Sequence, residues 1–312
     1  MKLLILFENA EYLKRILEPK FPDLTIEAAT TEVEVGSFIE ETDILMAIRI
    51  SDELINKAVK VQWIQSLISG VDFIITLPSL RKDVLVSSTR GIHGPQMSEI
   101  AFLLMLALNR GFVRNIENQR KKNWERWPTK LLYKKKVAIL GVGVIGKEIA
   151  RKCKAFGMTV LGVRSVKRET EFVDFSYGPD ELKHVLSEVD YFINLVPSSA
   201  GTKKMIGAEE LAVMKPSAFF ISMGRGDTID EDALTHALKT KKIAGAGLDV
   251  FDREPLSEDS PLWDMDNVII TPHIGGMSDI YSDQILPILE ENLRRFLKGE
   301  KRNLINLIEW QK

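Results

Sequence analysis

The chain has 312 residues, of which 45% are hydrophobic and 28% charged, and this composition is typical of a globular protein with about two domains. The formal net charge of -2 creates no overall field that would attract nucleic acid or an anionic membrane, so we expect neither as a partner. The single cysteine, Cys153, excludes an internal disulfide and favours a reducing, cytoplasmic compartment. The longest apolar run, from Ile100 to Leu108, is shorter than the roughly 18 residues that a membrane span needs.

Short apolar runs alternate with helical patterns from Lys2 to about Arg90. Five of these runs are predicted to be strands: KLLILF, LTIEAA, DILMAI, VQWIQSL and VLVSST. The segment SDELINKAV between two of them has a helical pattern, with Ser51 as a plausible N-cap. Strands that alternate with helices predict a parallel sheet that is covered on both faces.

A long apolar helix is predicted next, beginning at Gly94-Pro95 and ending near Gly111. It is too apolar for a surface helix, so we expect it to be buried between domains or between subunits. The segment from about Lys121 to Lys136 follows, and its many basic residues are expected to form a solvated link and not a binding patch.

A second series of strands and helices starts at Lys136. Its predicted strands are KVAIL, MTVLGV, DYFINLV, SAFFISM, AGAGLDV and NVIITP. An amphipathic helix, SDQILPILEENLRRFLKG, follows them. This pattern predicts a second parallel-sheet α/β domain.

Three glycines between the first strand and first helix of this series form the motif G-x-G-x-x-G: Gly141, Gly143 and Gly146. The first glycine permits a tight turn, the second lets the backbone approach a pyrophosphate, and the third lets helix and strand pack closely. The free N–H groups at the start of the following helix favour a phosphate there. In this strand–turn–helix context the motif predicts a dinucleotide site, and the alternative is a structural glycine turn.

The end of the next strand distinguishes NAD from NADP, because an acidic residue there accepts a hydrogen bond from the ribose 2′-hydroxyl of NAD. This chain has Arg164 at that place, followed by Ser165 and by Lys167. Arg164 can pair with a 2′-phosphate, and Ser165 and Lys167 can add hydrogen-bond donors. The loop therefore favours NADP, with NAD as the alternative cofactor and a solvated basic loop as the simpler interpretation.

Three later strands are each followed by a side chain with catalytic potential: Arg225 in SMGRGD, Glu254 in LDVFDREPL and His273 in TPHIGG. The carboxyl ends of parallel strands face the ligand crevice of such a sheet, so the three are candidate catalytic residues. Arg225 would hold a carboxylate, His273 would give a proton to a carbonyl oxygen, and Glu254 would orient the imidazole. The simpler alternatives are a salt-bridging or helix-capping arginine, a turn glutamate and a polar loop histidine.

The other three histidines serve as a comparison. His184 and His236 lie in charged helical segments and are expected at the surface. His93 lies in RGIHGP at the presumed domain junction and could border the cleft, but it has no partner motif comparable to that of His273.

Five segments, in the right order and spread over nearly the whole chain, resemble the D-2-hydroxyacid dehydrogenase family: GVGVIG, VPSSAGTKKMI, MKPSAFFISMGRGDTIDEDAL, AGAGLDVFDREPL and PLWDMDNVIITPHIGG. The resemblance implies an α/β fold of two doubly wound parallel-sheet domains. A Rossmann-type nucleotide-binding domain, residues 94–283, would be inserted in a flavodoxin-like substrate domain, residues 1–93 plus 284–312. The resemblance also assigns the catalytic Arg, Glu and His of the family to Arg225, Glu254 and His273.

The resemblance extends to other expected contacts. The loop ISGVD matches the family's substrate-carboxylate loop, so the backbone N–H groups of Gly70 and Val71 are candidates, and Arg49 takes the place of a second substrate-binding arginine of some members. We expect further cofactor contacts within the matching motifs, at Val144, Ile145, Val196, Pro197, Thr202, Met223, Gly224, Asp249 and Gly275. No metal is expected.

These observations and the resemblance predict an oxidoreductase that transfers hydride from NAD(P)H, with NADPH preferred, to a small 2-oxo acid and gives the D-2-hydroxy acid. Glyoxylate and hydroxypyruvate are the default substrates. The resemblance also implies a homodimer. The segment TRGIHGPQMSE departs from the commoner asparagine-rich version, so the wall of the cleft can differ from that of relatives. Two alternatives stay open: a dinucleotide-sensing co-regulator of the same fold, and a dehydrogenase of another small acid or oxyanion such as phosphite.

Overall fold

The computed structural model describes residues 1–310, which form two units. The first unit contains Met1–Ile92 and the C-terminal segment that starts at Ser278, and the second contains His93–Met277. We propose these units as the two domains, with boundaries after Ile92 and Met277 in place of residues 93 and 283. No helix among the described residues is long and apolar enough to cross a membrane.

The first unit is built on a five-stranded parallel sheet. Its strands are β1 (Lys2–Leu6), β2 (Thr25–Ala29), β3 (Ile44–Ala47), β4 (Trp63–Ser66) and β5 (Leu85–Ser88), and its early helices are α1 (Ala10–Leu17), α2 (Asp52–Lys57) and α3 (Asp72–Ile75). The strand order β2-β1-β3-β4-β5 is that of flavodoxin-like folds. All five predicted strands are confirmed, and so is the N-cap, since the Ser51 hydroxyl accepts a hydrogen bond from the Leu54 N–H at 3.1 Å.

The second unit is built on a seven-stranded parallel sheet. Its strands are β6 (Lys136–Leu140), β7 (Thr159–Val163), β8 (Phe175–Tyr177), β9 (Tyr191–Asn194), β10 (Phe219–Ser222), β11 (Gly245–Leu248) and β12 (Val268–Ile270). Its helices are α4 (Gly94–Arg110), α5 (Phe112–Arg120), α6 (Val144–Ala155), α7 (Leu182–Glu188), α8 (Ala208–Val213) and α9 (Glu231–Lys239). The order β8-β7-β6-β9-β10-β11-β12 is the Rossmann order 3-2-1-4-5-6 with one further strand.

The C-terminal helix α10 (Tyr281–Leu297) belongs to the first unit, as the resemblance implied. Its apolar side joins the core of that unit through Ile285, Leu289 and Leu293, and Phe296 stacks on Trp63 with ring centroids 5.1 Å apart. Short 3-10 helices lie at Glu18–Lys20, Gly36–Glu41, Pro179–Glu181, Gly226–Thr228, Pro261–Asp264 and Lys301–Asn303.

Helix α4 begins at Gly94 and is closed by Gly111 in a left-handed conformation with φ +62°, as predicted. The structure packs this helix on α6, β10 and β11 of its own unit. Its predicted burial between domains or between subunits stays a prediction. The lone cysteine, Cys153, lies on the facing helix α6, and burial raises the pKa of its thiol to about 12.

Two elements were not predicted. Strand β8 has three residues, all at least partly exposed, at the edge of the sheet, so it lacks the apolar run of an inner strand. Helix α5 buries none of its residues and follows directly from the glycine that ends α4. Its only apolar residues are Phe112, Val113 and Ile116, so the hydrophobic pattern that would mark a helix is short.

Candidate active site

The side chains of Arg225, Glu254 and His273 lie at one edge of the second sheet. Arg225 follows β10, Glu254 follows β11 and His273 follows β12, and these three strands are parallel neighbours. Their carboxyl ends therefore meet at the same edge, which is where ligands bind in open α/β sheets.

The Glu254 carboxylate joins the His273 ring to the backbone of the β11 loop. Oε2 of Glu254 lies 2.7 Å from Nδ1 of His273, and Oε1 accepts a hydrogen bond from the Phe251 N–H at 3.1 Å. Since both carboxylate oxygens are engaged, Glu254 fixes the orientation of the imidazole, and Nε2 of the ring takes no part in this contact. The His273 side chain is 42% exposed, so a proton can reach it from solvent.

The turn that carries His273 is held by a buried carboxylate. His273 has a left-handed backbone with φ +53°, which costs a residue with a Cβ about 1–2 kcal/mol. Asp249, which is 1% exposed, accepts hydrogen bonds from the Thr271 hydroxyl at 2.6 Å, the Ile274 N–H at 3.0 Å and the Gly275 N–H at 2.9 Å. These bonds offset the strain and fix the turn that presents the imidazole.

The loop that carries Arg225 packs directly on the loop that carries Glu254. A Cβ at Gly226 would lie 1.9 Å from the carbonyl carbon of Phe251, so only glycine fits there. The Arg225 guanidinium donates to the Gly224 carbonyl at 3.0 Å and, within residues 1–310, forms no ion pair with a carboxylate. Its remaining N–H groups are therefore suited to an anionic ligand.

The glycine turn between β6 and α6 has the geometry of a dinucleotide cradle. Gly141 has φ +95°, a conformation that a side chain would strain, and a Cβ at Gly146 would lie 2.8 Å from the Gly141 carbonyl oxygen. A Cβ at Gly143 would meet nothing within 4 Å, so the space in front of this residue is open. The first N–H groups of α6, at Val144 and Ile145, have no partner within the helix, and such groups at a helix N-terminus can bind an anion. The turn fits a pyrophosphate.

The loop after β7 contains the residues that are expected to bind the 2′-phosphate of NADP. The Arg164 guanidinium donates to the Thr170 hydroxyl at 3.2 Å, and partial burial, with Arg168 nearby, lowers its pKa from the usual value. Ser165 is exposed. Lys167 is engaged by Glu181, with Nζ 3.0 Å from the carboxylate, so its ammonium would have to exchange partners to bind a phosphate.

Two further loops at the same edge contain the other expected cofactor contacts. After β9, the Thr202 hydroxyl donates to the Pro197 carbonyl at 2.7 Å. After β10, a Cβ at Gly224 would lie 2.5 Å from the Val196 carbonyl oxygen, so the two loops approach closely. Met223, next to Gly224, is buried. In the structure the Gly275 N–H donates a hydrogen bond to the Asp249 carboxylate. The expected contacts of these two residues with the cofactor stay a prediction.

The substrate residues expected from the first unit lie at the carboxyl edge of its own sheet. Arg49 follows β3, with its guanidinium 5.9 Å from the centre of the Phe73 ring. Gly70 and Val71 follow β4. The structure thus brings Arg225, Glu254 and His273 together in one unit and Arg49, Gly70 and Val71 together in the other.

Two features of the site were not predicted from sequence, the turn-holding role of Asp249 and the close packing at Gly226. A third, the contact of His93 with one particular turn, is more specific than the sequence interpretation, which placed His93 at the cleft border. His93 lies against the His273 turn, because a Cβ at Gly276 would be 3.3 Å from its Cδ2. Burial lowers the pKa of His93 to about 4, so the ring is neutral at neutral pH. No sequence signal marks these contacts, since each joins residues far apart in the chain.

Comparison with known proteins agrees with this geometry. Residues 102–275 match the family model for the NAD binding domain of D-isomer specific 2-hydroxyacid dehydrogenases. A glyoxylate reductase from Korarchaeum cryptofilum is 32% identical over 290 residues, which cover 90% of this chain and 87% of that protein.

Two solved structures cover almost the whole chain. A D-isomer specific 2-hydroxyacid dehydrogenase family protein from Aeromonas salmonicida has a TM-score of 0.91 and 35% identity, with 99% of both chains covered. An NADPH-dependent glyoxylate/hydroxypyruvate reductase from Sinorhizobium meliloti, in complex with NADP and sulfate, has a TM-score of 0.85 and 26% identity, covering 99% of this chain and 98% of that one. The chain belongs to the D-isomer specific 2-hydroxyacid dehydrogenases, oxidoreductases that bind a nicotinamide dinucleotide and act on CH–OH donors.

Proposed function

We propose that the protein reduces a small 2-oxo acid, such as glyoxylate or hydroxypyruvate, to the D-2-hydroxy acid, with NADPH as the preferred reductant. The observation that carries this proposal is the 2.7 Å contact between His273 Nδ1 and Glu254 Oε2, at the strand edge that also carries Arg225. The similarity to a glyoxylate reductase and to an NADPH-dependent glyoxylate/hydroxypyruvate reductase supports it.

His273 is the proposed proton donor. A reduced nicotinamide, when bound, supplies the hydride to the carbonyl carbon. His273, in its protonated form, gives the proton on Nε2 to the carbonyl oxygen, while Nδ1 keeps its bond to Glu254. The carboxylate stabilises the charged ring and fixes its direction. In the reverse reaction the neutral ring takes the hydroxyl proton.

The substrate carboxylate is the proposed ligand of Arg225. Its planar guanidinium can bind a carboxylate through two hydrogen bonds and polarise the adjacent carbonyl group. We propose that the backbone N–H groups of Gly70 and Val71 also bind a substrate carboxylate, and that Arg49 contributes a further positive charge in the first unit.

Replacing Glu254 by glutamine should lower kcat/KM for the reduction of glyoxylate. The neutral amide can still bond Nδ1 of His273, but it places no negative charge beside the ring that gives the proton. The measurement is kcat/KM for glyoxylate at one neutral pH. Glu258→Gln, an exposed glutamate in the same loop, is the control and should keep the parent kcat/KM. A parent value of kcat/KM in Glu254→Gln would assign Glu254 a structural role alone.

The proposed function is tested by a substrate panel. We expect the purified protein to oxidise NADPH with glyoxylate or hydroxypyruvate. NADH should be run in parallel, and chiral analysis of the product should give the D-isomer. Fluorescence will show whether the protein binds NADPH. If it binds NADPH but does not oxidise it with any 2-oxo acid of the panel, the dinucleotide-sensing alternative replaces the proposal.

We also propose that the second unit binds a second copy of the chain. Several of its large apolar side chains are exposed, including Leu103 (54%), Phe112 (52%) and Trp124 (92%) on and after α4. Light scattering at micromolar concentration should therefore give a dimer, which Leu103→Glu weakens. Val33→Glu changes a side chain that is 93% exposed in the first unit and should leave the dimer intact. A monomeric parent would remove this proposal.

A further inference from the structure

The loop that follows β4, residues 67–71, is held through its carbonyl oxygens. The Leu67 carbonyl accepts a hydrogen bond from the Tyr281 hydroxyl at 2.8 Å. The Ser66 hydroxyl lies 3.1 Å from the Ile68 carbonyl and 3.2 Å from the Gly70 carbonyl, so it bonds one or shares its proton between both. The two donors belong to different elements of the first unit: Ser66 is the last residue of β4, and Tyr281 is the first residue of α10.

This arrangement determines where the loop's N–H groups point. In a trans peptide the carbonyl and the following N–H point in opposite directions, so a carbonyl fixed toward the protein turns the next N–H away from it. The Gly70 carbonyl faces Ser66, and the Val71 N–H of the same peptide therefore faces away from Ser66. Among the backbone hydrogen bonds of residues 1–310, neither the Gly70 nor the Val71 N–H is a donor.

The Ser66 and Tyr281 hydroxyl groups are both suited to hold the loop in one conformation. Ser66 is fully buried, and the Tyr281 side chain is buried enough that desolvation raises its pKa to about 12. Tyr281 therefore keeps its proton at neutral pH and can donate a hydrogen bond. The Thr89 N–H, which bonds the Ile68 carbonyl at 3.3 Å, adds a third support from the end of β5.

We propose that Ser66 and Tyr281 are positioning residues that fix the loop after β4, and with it the Val71 N–H, for a substrate carboxylate. The inference rests on the proposed function, which supplies the carboxylate. The two hydroxyls do not touch the substrate; they act through the carbonyls of the loop. Preorganised N–H donors bind an anion without the cost of ordering the loop at each encounter.

The test combines an affinity with a kinetic measurement. Oxalate, a non-reducible analogue of a 2-oxo acid, is titrated by calorimetry into the NADPH-loaded protein, and KM for glyoxylate is measured beside it. Tyr281→Phe and Ser66→Ala should each weaken oxalate binding and raise KM for glyoxylate about 3- to 10-fold, the effect of one lost hydrogen bond. The Kd for NADPH should stay at the parent value, and kcat should change less than KM.

The control is Tyr12→Phe, which removes the same atom. The Tyr12 hydroxyl bonds Asp283 on the same helix α10 but touches no carbonyl of the loop, so this variant should keep the parent affinity for oxalate. Unchanged oxalate affinity in a folded Tyr281→Phe protein would overturn the proposal, even if its Tm fell, and so would a parent that binds no oxalate. If Ser66→Ala fails to fold, Tyr281→Phe decides alone. A parent that binds oxalate but reduces no 2-oxo acid would refute the proposed function and leave this inference standing.

Discussion

Replacing His273 by glutamine should lower kcat for the reduction of glyoxylate by about 10²–10⁴-fold, the range typical of a lost general acid. Glutamine is of similar size and can still reach Glu254, but its amide does not release a proton to a forming alkoxide. Because His273 lies at the end of β12, away from the glycine turn after β6, the Kd for NADPH should be unchanged. The measurements are steady-state kinetics and a fluorescence titration with NADPH.

The matched control for this variant is His184→Gln. His184 is also an exposed histidine of the second unit beside a glutamate, with Nε2 3.4 Å from Glu188 Oε1. It lies on α7 and not at the carboxyl edge of the sheet, so its loss should leave kcat at the parent value. If His273→Gln reduces glyoxylate at the parent rate, the proton donor is another group.

Most of the fold could be predicted because the strands of both sheets lie between covering helices. A strand of that kind is a continuous apolar run, as KLLIL in β1 and KVAIL in β6 are, and such runs are visible in a single sequence. The elements that were not predicted, β8 and α5, lie at an edge or at the surface. Their residues are partly exposed, so the hydrophobic pattern that would mark them is short.

The candidate site could be predicted in part because parallel strands share an edge. Placing Arg225, Glu254 and His273 after three consecutive strands was enough to predict that they meet, and the His273–Glu254 pair is the contact expected from the sequence. The support of the site could not be predicted in this way. The hydrogen bonds of Asp249 to the His273 turn and the contact of Gly226 with the β11 loop depend on distances that only the folded chain defines.

The loop that is predicted to bind the 2′-phosphate also contains a contact, that of Lys167, which the sequence did not predict. Lys167 was expected to add a donor, but in the structure its ammonium is bonded to Glu181, which comes 14 residues later in the chain. An exposed ion pair of this kind is weak, about 0–1 kcal/mol, so the lysine can exchange partners. Its contribution to phosphate binding should nevertheless be smaller than that of Arg164, which is bonded only to a neutral hydroxyl among the described side chains.

Replacing Arg164 by aspartate should reverse or abolish a preference for NADPH. The 2′-phosphate of NADP carries close to two negative charges, and Arg164 directly follows β7, where a carboxylate would repel it. A charge-assisted hydrogen bond is worth about 1.5–3 kcal/mol, so two of them give a preference of about 10²-fold or more. We therefore expect kcat/KM for NADPH to exceed that for NADH in the parent and to fall below it in Arg164→Asp.

Two further variants make this prediction specific. Lys239→Asp makes the same charge reversal at an exposed position at the end of α9 and should keep the parent preference, which separates a local effect from one of net charge. Lys167→Ala should lower the preference less than Arg164→Ala, because Lys167 is already paired with Glu181. Turnover at saturating NADH should survive in Arg164→Asp, since Arg225, Glu254 and His273 lie at the ends of other strands. Equal use of both cofactors by the parent, or an Arg164→Asp protein that still prefers NADPH, would show that this loop does not read the phosphate.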